Sequence, residues 1–308
     1  MNIAVLSGGV GGARFLRGVL AVVDPGNVSI VGNVADDIEV LGLHISPDLD
    51  SILYTLTQRS DEARGWGRAD ESWRALETVA ELGGEDWFKL GDRDLGLHLV
   101  RTELLRAGAP LSEATRRIAD ALGLEAALLP ATDDALRTFL ETAAGTFAFQ
   151  TWFVARGHRD EVDAVHYAGA PDARPAPGVL DALDRADVIL VAPSNPYVSI
   201  GPILAVRAIR DALAHRTVPC VAVSPLVGGR AVKGPADRML ARLAGGTTPA
   251  HVASCYKGLI DVLVVDESDE PASSPAGMQT VVTRTLMTDL AAARRLASVA
   301  LDAAGAPA

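Results

Sequence analysis

Residues 3–20, IAVLSGGVGGARFLRGVL, join a short apolar run to a glycine-rich turn and an amphipathic stretch. This order predicts a β-strand, a tight turn and an α-helix, with backbone N–H groups converging where a phosphate can approach. The alternative is a strand-to-helix turn that binds nothing, because glycine is common at such turns. Arg14 stands where the dinucleotide pattern needs its third glycine and where the P-loop pattern needs its lysine, so neither pattern is met.

Four further apolar runs follow the same plan, each ending at glycine, aspartate or proline: 28–32, 187–193, 219–224 and 261–266. Runs that are apolar at every position indicate strands covered on both faces, as in a parallel sheet between helices. The predicted fold class is therefore α/β, with a doubly wound, mostly parallel, Rossmann-like sheet. Apolar spacing typical of helices predicts a mainly helical insertion at about 60–125, and aromatic and β-branched residues predict a β-hairpin at about 146–168.

The chain has 308 residues, and no linker divides it, so we expect a single α/β domain over residues 1–308. Lys and Arg number 28 against 39 for Asp and Glu, which gives the net charge of −11 and argues against nucleic-acid binding. Two cysteines and no long apolar stretch favour a cytoplasmic protein without a membrane span. A symmetric homodimer is the default expectation for a soluble enzyme.

Four carboxylates, Asp36, Asp37, Asp48 and Asp50, lie in a short stretch after the second predicted strand. Oxygen ligands of this kind suit Mg²⁺ that bridges to a substrate phosphate, which makes Asp36, Asp37 and Asp48 the candidate metal ligands. The alternative is helix capping, because Asp37 and Asp50 could each precede a helix.

Polar residues also follow other predicted elements. The charged turn WFKLGDRDLGLH carries Lys89 and Arg93, together with Asp94 and His98 on one helical face. Ser194 and Asn195 lie in a loop at the end of a strand, where ligands of open α/β sheets bind. The recurrence of such loops predicts a ligand cleft. No G-x-S-x-G, H-E-x-x-H or C-x-x-C pattern occurs, which leaves a phosphate or nucleotide cleft as the reading from the residues alone.

The chain resembles the 2-phospho-L-lactate transferase family of deazaflavin coenzyme F(420) biosynthesis over residues 1 to about 290. The motifs that carry this resemblance are SGGVGGARFLRGV, NVADD, GLHISPDLDSILYTL, WFKLGDRDLGLHLVR, PSNPYVSIGPIL, AVSPLVGGRAVKGPA and TLMTD. One departure is Ala35 in NVADD, where many members carry glycine.

The resemblance implies a Mg²⁺-dependent transfer of a phospholactyl or phosphoenolpyruvyl group from its guanosine diphosphate-activated form. The acceptor would be the ribityl hydroxyl of the deazaflavin Fo (7,8-didemethyl-8-hydroxy-5-deazariboflavin), and GMP would be released. By position, Asp50 and Lys89 match family residues that contact Fo. We add Arg93 to the Fo group, assign Asp50 as the catalytic residue, and place the nucleotide on Gly8, Gly9, Gly11, Gly12, Arg14, Ser194 and Asn195.

Two rival functions differ in class from this one. A related branch of the superfamily consists of non-enzymatic proteins that bind nucleotide sugars and regulate metabolism. A nicotinamide-dependent oxidoreductase is suggested only by the first strand, turn and helix, and the broken fingerprint argues against it. The residues do not distinguish a lactyl from an enolpyruvyl donor.

Overall fold

The computed structural model describes residues 1–269 and 278–305 and is built on a seven-stranded parallel sheet. The strands are β1 (Ile3–Ser7), β2 (Val28–Gly32), β3 (Ile38–Val40), β4 (Leu43–Ile45), β5 (Ala127–Pro130), β6 (Arg137–Thr142), β7 (Gly145–Ala148), β8 (Val162–Ala168), β9 (Val188–Val191), β10 (Cys220–Val223), β11 (Leu226–Val227), β12 (Arg230–Ala231), β13 (Val262–Asp266) and β14 (Gln279–Thr283).

The helices that surround the sheet are α1 (Gly9–Leu20), α2 (Pro47–Leu56), α3 (Arg74–Glu81), α4 (Asp92–Arg106), α5 (Leu111–Leu122), α6 (Val179–Asp184), α7 (Gly201–Ala205), α8 (Arg207–Ala214), α9 (Ala236–Leu243), α10 (Pro249–Cys255) and α11 (Leu290–Ala303). Short helical segments of other types are Pro25–Asn27, Thr151–Ala155 and Pro196–Ile200. None of the helices described is long and apolar enough to span a bilayer.

The central sheet has the order β14-β13-β10-β9-β1-β2-β5, and every neighbouring pair is parallel. The five strands predicted from apolar runs are all present, which confirms the doubly wound α/β class. β5 and β14 were not predicted. Successive connections lead outward in opposite directions from β1 and β9, so the topological switch point lies between these two strands.

The first strand shows why the sheet needs helices on both faces. Ile3 and Val5 belong to one apolar core, which they share with α1, α2, α5 and α11. Ala4 and Leu6 belong to a second core on the opposite face. All four side chains are at most 1% exposed, so no position of this strand tolerates contact with water.

The predicted hairpin at about 146–168 is wrong in its pairing. β7 and β8 do not pair with each other, because β6 lies between them in an antiparallel sheet of order β7-β6-β8. Phe149 lies in helical residues just before the π-type segment Thr151–Ala155, and Trp152 and Phe153 lie within that segment; the spacing of three and four residues lets the rings contact one another. An extended strand would place some of these rings on the opposite face.

Residues 60–125 contain α3, α4 and α5, and α5 leads into β5 at the edge of the sheet. The sequence predicts a last helix at about 287–303; in the structure it begins at Leu290, where the carboxylate of Asp289 accepts a hydrogen bond from Ala292 N at 2.7 Å. The sequence also predicts a loop at 266–277, most of which lies outside the described residues.

Gly18 in α1 lies against α11, so a substitution at this residue tests the contact between the two helices. A Cβ at Gly18 would lie 2.2 Å from the carbonyl oxygen of Ala293, closer than any real contact. We expect Gly18→Ala to lower the free energy of unfolding by about 1–3 kcal/mol, because overpacking forces the two helices apart. Urea unfolding followed by circular dichroism measures this change.

The matched control is Gly96→Ala in α4, where an added Cβ would meet nothing within 4 Å. This substitution removes a helix-interior glycine without a clash, so it should raise the free energy of unfolding by roughly 0.5–1 kcal/mol. Equal effects of the two substitutions would contradict the contact.

Candidate active site

A cleft of about 620 Å³ opens at the carboxyl ends of β1, β2, β9 and β10. Both sides of the switch point contribute, through Gly8 after β1 and Asn195 after β9. Nine of the predicted site residues line it: Gly8, Gly9, Gly11, Arg14, Asp36, Asp48, Asp50, Lys89 and Asn195.

Gly12 and Ser194 lie behind the cleft wall and not in it. Ser194 Oγ donates to the Gly8 carbonyl at 2.7 Å and accepts from Gly8 N at 3.4 Å, so its hydroxyl supports the turn. A Cβ at Gly12 would lie 2.4 Å from Ser7 Oγ and 2.6 Å from Ser194 Oγ. These two residues therefore hold β1, α1 and the loop after β9 together.

Asp37 and Arg93 also lie outside the cleft lining. Asp37 Oδ2 accepts from Ser46 Oγ at 2.8 Å and lies 2.9 Å from His44 Nε2, whereas its Oδ1 is buried without a hydrogen-bond partner. Arg93 is exposed on α4, with Nη1 3.6 Å from Asp70 Oδ2.

The glycine turn is shaped by the side chains that press against it. A Cβ at Gly8 would lie 2.6 Å from Asp48 Oδ2 and 2.9 Å from Ser199 Cβ. Gly9 has a φ of +68°, in the left-handed region, and its backbone N–H bonds to Asp48. The first N–H groups of the turn are thus already bonded within the chain, to Ser194 Oγ and to Asp48.

Asp36 and Asp48 form a buried pair of carboxylates in the cleft floor. Burial, and then the negative charges of Asp48 and Asp37, raise the pKa of Asp36 well above its ordinary value. Burial raises the pKa of Asp48 to about 6, although Asn33 Nδ2 donates to its Oδ2 at 2.9 Å. Asp36 Oδ1 is buried and has no hydrogen-bond partner. The site therefore concentrates negative charge that no described side chain neutralises.

The predicted trio of metal ligands does not assemble. Within residues 1–269 and 278–305, no three His, Cys, Asp or Glu side chains are grouped as metal ligands. The reason is that Asp37 is held by His44 and Ser46, which leaves Asp36 and Asp48 facing the cleft. Two carboxylates still suit Mg²⁺, which commonly takes one or two of them together with substrate phosphate and water.

Asp50 is paired with an arginine that the sequence analysis missed. Arg101, on α4, is 0% exposed; its Nη1 donates to Asp50 Oδ2 at 3.0 Å and its Nη2 donates to Asp50 Oδ1. Burial alone lowers the pKa of Arg101, but the Asp50 carboxylate outweighs burial and raises it. The two hydrogen bonds from Arg101 fix the orientation of the Asp50 side chain.

His98 extends this network along α4. Its Nδ1 lies 3.3 Å from Arg101 Nη1, and because a guanidinium only donates, Nδ1 accepts and the proton lies on Nε2. Nε2 faces Asp94 Oδ1 at 3.2 Å, which also accepts from Tyr54 Oη. Burial opposes ionisation of Asp94, but the bonds from His98 and Tyr54 outweigh it and lower its pKa. Asp94 and His98, predicted to share a helical face, thus both line the cleft.

Aromatic rings form another wall of the cleft. The rings of Phe149 and Phe153 stack at 5.2 Å, and those of Phe153 and His158 stack at 4.9 Å. Trp66 and Phe88 also line the cleft. Such flat faces suit a heteroaromatic ligand. The sequence signal for Phe149 and Phe153 was their spacing of four residues, which the strand prediction hid.

Lys89 lies at the rim. Its side chain is 49% exposed, and Nζ donates to Asp86 Oδ2 at 2.8 Å. Arg14 and Lys233 line another side of the cleft.

The sequence matches a family model and curated relatives. Residues 3–302 match the model described as 2-phospho-L-lactate transferase CofD. The relatives, each called phosphoenolpyruvate transferase, come from Streptomyces coelicolor (44% identity, 99% of this chain and 98% of the relative), Thermobifida fusca (41%, 99% and 98%) and Mycobacterium tuberculosis (39%, 99% and 99%).

A solved structure has a similar fold. It is a member of the UPF0052 family from Bacillus halodurans, with a TM-score of 0.62 at 20% identity, covering 97% of this chain and 98% of that chain. At this identity the likeness concerns the fold alone.

Because Asp36 and Asp48 are buried, we expect them to lower the free energy of unfolding in a pH-dependent way. A carboxyl whose pKa is raised by folding destabilises the protein above its unfolded pKa, because ionisation is harder in the folded state. At pH 8 in EDTA, we expect the free energy of unfolding of Asp36→Asn to exceed that of the unaltered protein by roughly 1 kcal/mol or more. The difference should vanish as the pH falls towards the ordinary value of 3.8. Denaturant titrations at several pH values measure it.

Asp172→Asn is the control for this measurement, because Asp172 is exposed. Its free energy of unfolding should follow that of the unaltered protein at every pH. If Asp36→Asn also follows it, the two buried carboxylates do not carry the cost assigned to them.

Proposed function

The chain belongs to the 2-phospho-L-lactate transferase family, and from this premise we propose that it transfers a phosphoenolpyruvyl group to the deazaflavin Fo. The donor is the guanosine diphosphate-activated form of the three-carbon phosphate, and the products are GMP and dehydro coenzyme F(420)-0. The choice of enolpyruvyl over lactyl is supported by the name phosphoenolpyruvate transferase, which relatives with 39–44% identity carry.

One observation carries this proposal: buried, uncompensated carboxylates share a cleft with cations. Asp36 and Asp48 face the same space as Arg14 and Lys233, at the switch point of the sheet. A volume of about 620 Å³ lies within the range of small-molecule sites, about 300–1,000 Å³. A metal cation and a phosphate together would satisfy both kinds of charge.

Asp36 and Asp48 are the residues that would hold Mg²⁺. When bound, the ion would neutralise charge on the phosphate groups of the donor. The unpartnered Asp36 Oδ1 and the raised pKa values of both carboxyls support this assignment, because both features mark a site that lacks a positive charge. Asp37 is not part of this assignment.

Asp50 serves in this proposal to orient the acceptor. Its two oxygens accept hydrogen bonds from Arg101, and its side chain lines the cleft, where it can accept a further hydrogen bond. A hydroxyl of Fo that donates to Asp50 would be held in one direction. Lys89 at the rim and the aromatic faces of the cleft supply further contacts for Fo.

The reaction is an in-line displacement at the distal phosphorus of the donor. The hydroxyl oxygen of Fo forms the new P–O bond, the hydroxyl proton passes to solvent water, and GMP leaves with the electron pair of the broken bond. Such reactions depend on positioning and on neutralisation of spreading negative charge. Arg14 would neutralise charge, and Asp50, positioned by Arg101, would direct the attack.

The proposal is tested with purified protein, Mg²⁺, Fo and each activated donor in turn, by GMP release and the mass of the deazaflavin product. We expect product with the enolpyruvyl donor, and loss of product when EDTA removes the metal. Product only with the lactyl donor would overturn the choice of donor. No product with either donor, with nucleotide sugars still bound, would favour the non-enzymatic branch.

Asp50→Asn tests the orienting role. The amide keeps the shape but loses a charged acceptor, so we expect kcat to fall about tenfold to a hundredfold. Asp172→Asn is the control, because it makes the same substitution at an exposed carboxylate outside the cleft lining, and it should leave kcat within about twofold. Full turnover by Asp50→Asn would refute the assigned role.

A further inference from the structure

Two cations face the cleft from different elements without a carboxylate partner. Arg14 lies on α1, and Lys233 lies in the loop between β12 and α9. Among residues 1–269 and 278–305, neither side chain forms an ion pair with Asp or Glu. In a chain with a net charge of −11, an unpaired cation in a cleft needs an explanation.

Neighbouring arginines behave differently. Arg17, one turn after Arg14 on the same helix, pairs with Glu62 at 2.5 Å. Arg64, beside Gly65, pairs with Asp61 at 2.9 Å and lies over the rings of Trp66 and Trp73. Carboxylates are therefore available along this loop. They pair with Arg17 and Arg64 outside the main cleft, but with neither Arg14 nor Lys233.

Lys233 reaches across the mouth of the cleft. Its Nζ donates to the carbonyl oxygen of Gly65, a residue of the loop between α2 and α3. Gly65 has a φ of +78°, a conformation that favours glycine, and a Cβ there would lie 2.8 Å from Nζ. Arg14 lines the small side pocket that Gly65, Trp66 and Gly67 also line. The ammonium and the guanidinium thus meet at the same loop.

The two positive charges repel each other in this position. Partial loss of solvent, and then the charge of Arg14, lower the pKa of Lys233. Repulsion of this kind is relieved when an anion lies between the cations. A diphosphate offers several oxygens at the spacing of a few ångströms that two separate donors can share, and charge-assisted hydrogen bonds of this kind are strong.

We propose that Lys233 and Arg14 form a two-cation clamp for the diphosphate bridge of the donor, in which Lys233 exchanges the Gly65 carbonyl for a phosphate oxygen. This inference rests on the proposed function and adds Lys233 as a donor-binding residue. The clamp approaches the diphosphate from the side of α1 and the 228–235 loop. The glycine turn contributes less than expected, because Ser194 and Asp48 already occupy its first N–H groups.

The test compares Lys233→Gln, Arg14→Gln and Arg17→Gln. Arg17 is the matched control, since it is an arginine of the same helix with its own carboxylate partner. For each protein, GDP binding in Mg²⁺ is measured by calorimetry, Fo binding by deazaflavin fluorescence, and donor KM and kcat by GMP release. We expect Lys233→Gln and Arg14→Gln each to weaken GDP binding and raise donor KM about tenfold. Fo affinity should stay within about twofold, and Arg17→Gln should match the unaltered protein.

Lys233→Arg keeps a cation at the mouth of the cleft and so separates the effect of charge from the effect of side-chain shape. Its GDP affinity should lie between that of Lys233→Gln and that of the unaltered protein. The clamp is refuted when Lys233→Gln binds GDP as tightly as Arg17→Gln does, or when Fo affinity falls as much as GDP affinity. Failure of the proposed function is a separate result: the unaltered protein would give no product with either donor, while GDP binding still depended on Lys233.

Discussion

The close approach of chain segments at the turn between β1 and α1 is the constraint on which the rest of the site depends. Gly8 leaves room for Asp48 and Ser199, and Gly12 leaves room for Ser7 and Ser194. These contacts bring the ends of β1 and β9 and the start of α2 to one point. The cleft forms where these segments meet, because the switch point of a doubly wound sheet separates the connections on either side.

Buried charge in this cleft is treated in two ways. Asp50 has a bidentate partner in Arg101, and the network continues through His98. Asp36 and Asp48 have no cation, and burial raises their pKa values. The pairing with Arg101 fixes the direction of the Asp50 side chain. The lack of a cation beside Asp36 and Asp48 favours the binding of a positive charge there. A transferase of phosphate-linked groups needs both, because its substrates are positioned and neutralised more than they are covalently attacked.

Much of the site was predictable because its parts follow strands. The ends of parallel strands share one edge of the sheet, so polar residues after β1, β2 and β9 had to meet. Asp37 was predicted as a ligand from its neighbours in sequence, yet it ends a turn in which its N–H bonds to the Val34 carbonyl, and its Oδ2 contacts His44 and Ser46. Arg101 was missed because no local pattern marks an arginine whose partner lies 51 residues away.

The sequence by itself determined the α/β class, the five apolar strands and the glycine turn, because burial on both faces and backbone conformation are local properties of residue type. Only the tertiary structure decided that β6 separates β7 from β8, that Arg101 supports Asp50 and that Lys233 reaches Gly65. Each of these depends on which distant segments become neighbours. That choice is made by packing over the whole sheet, and a pattern within one segment does not contain it.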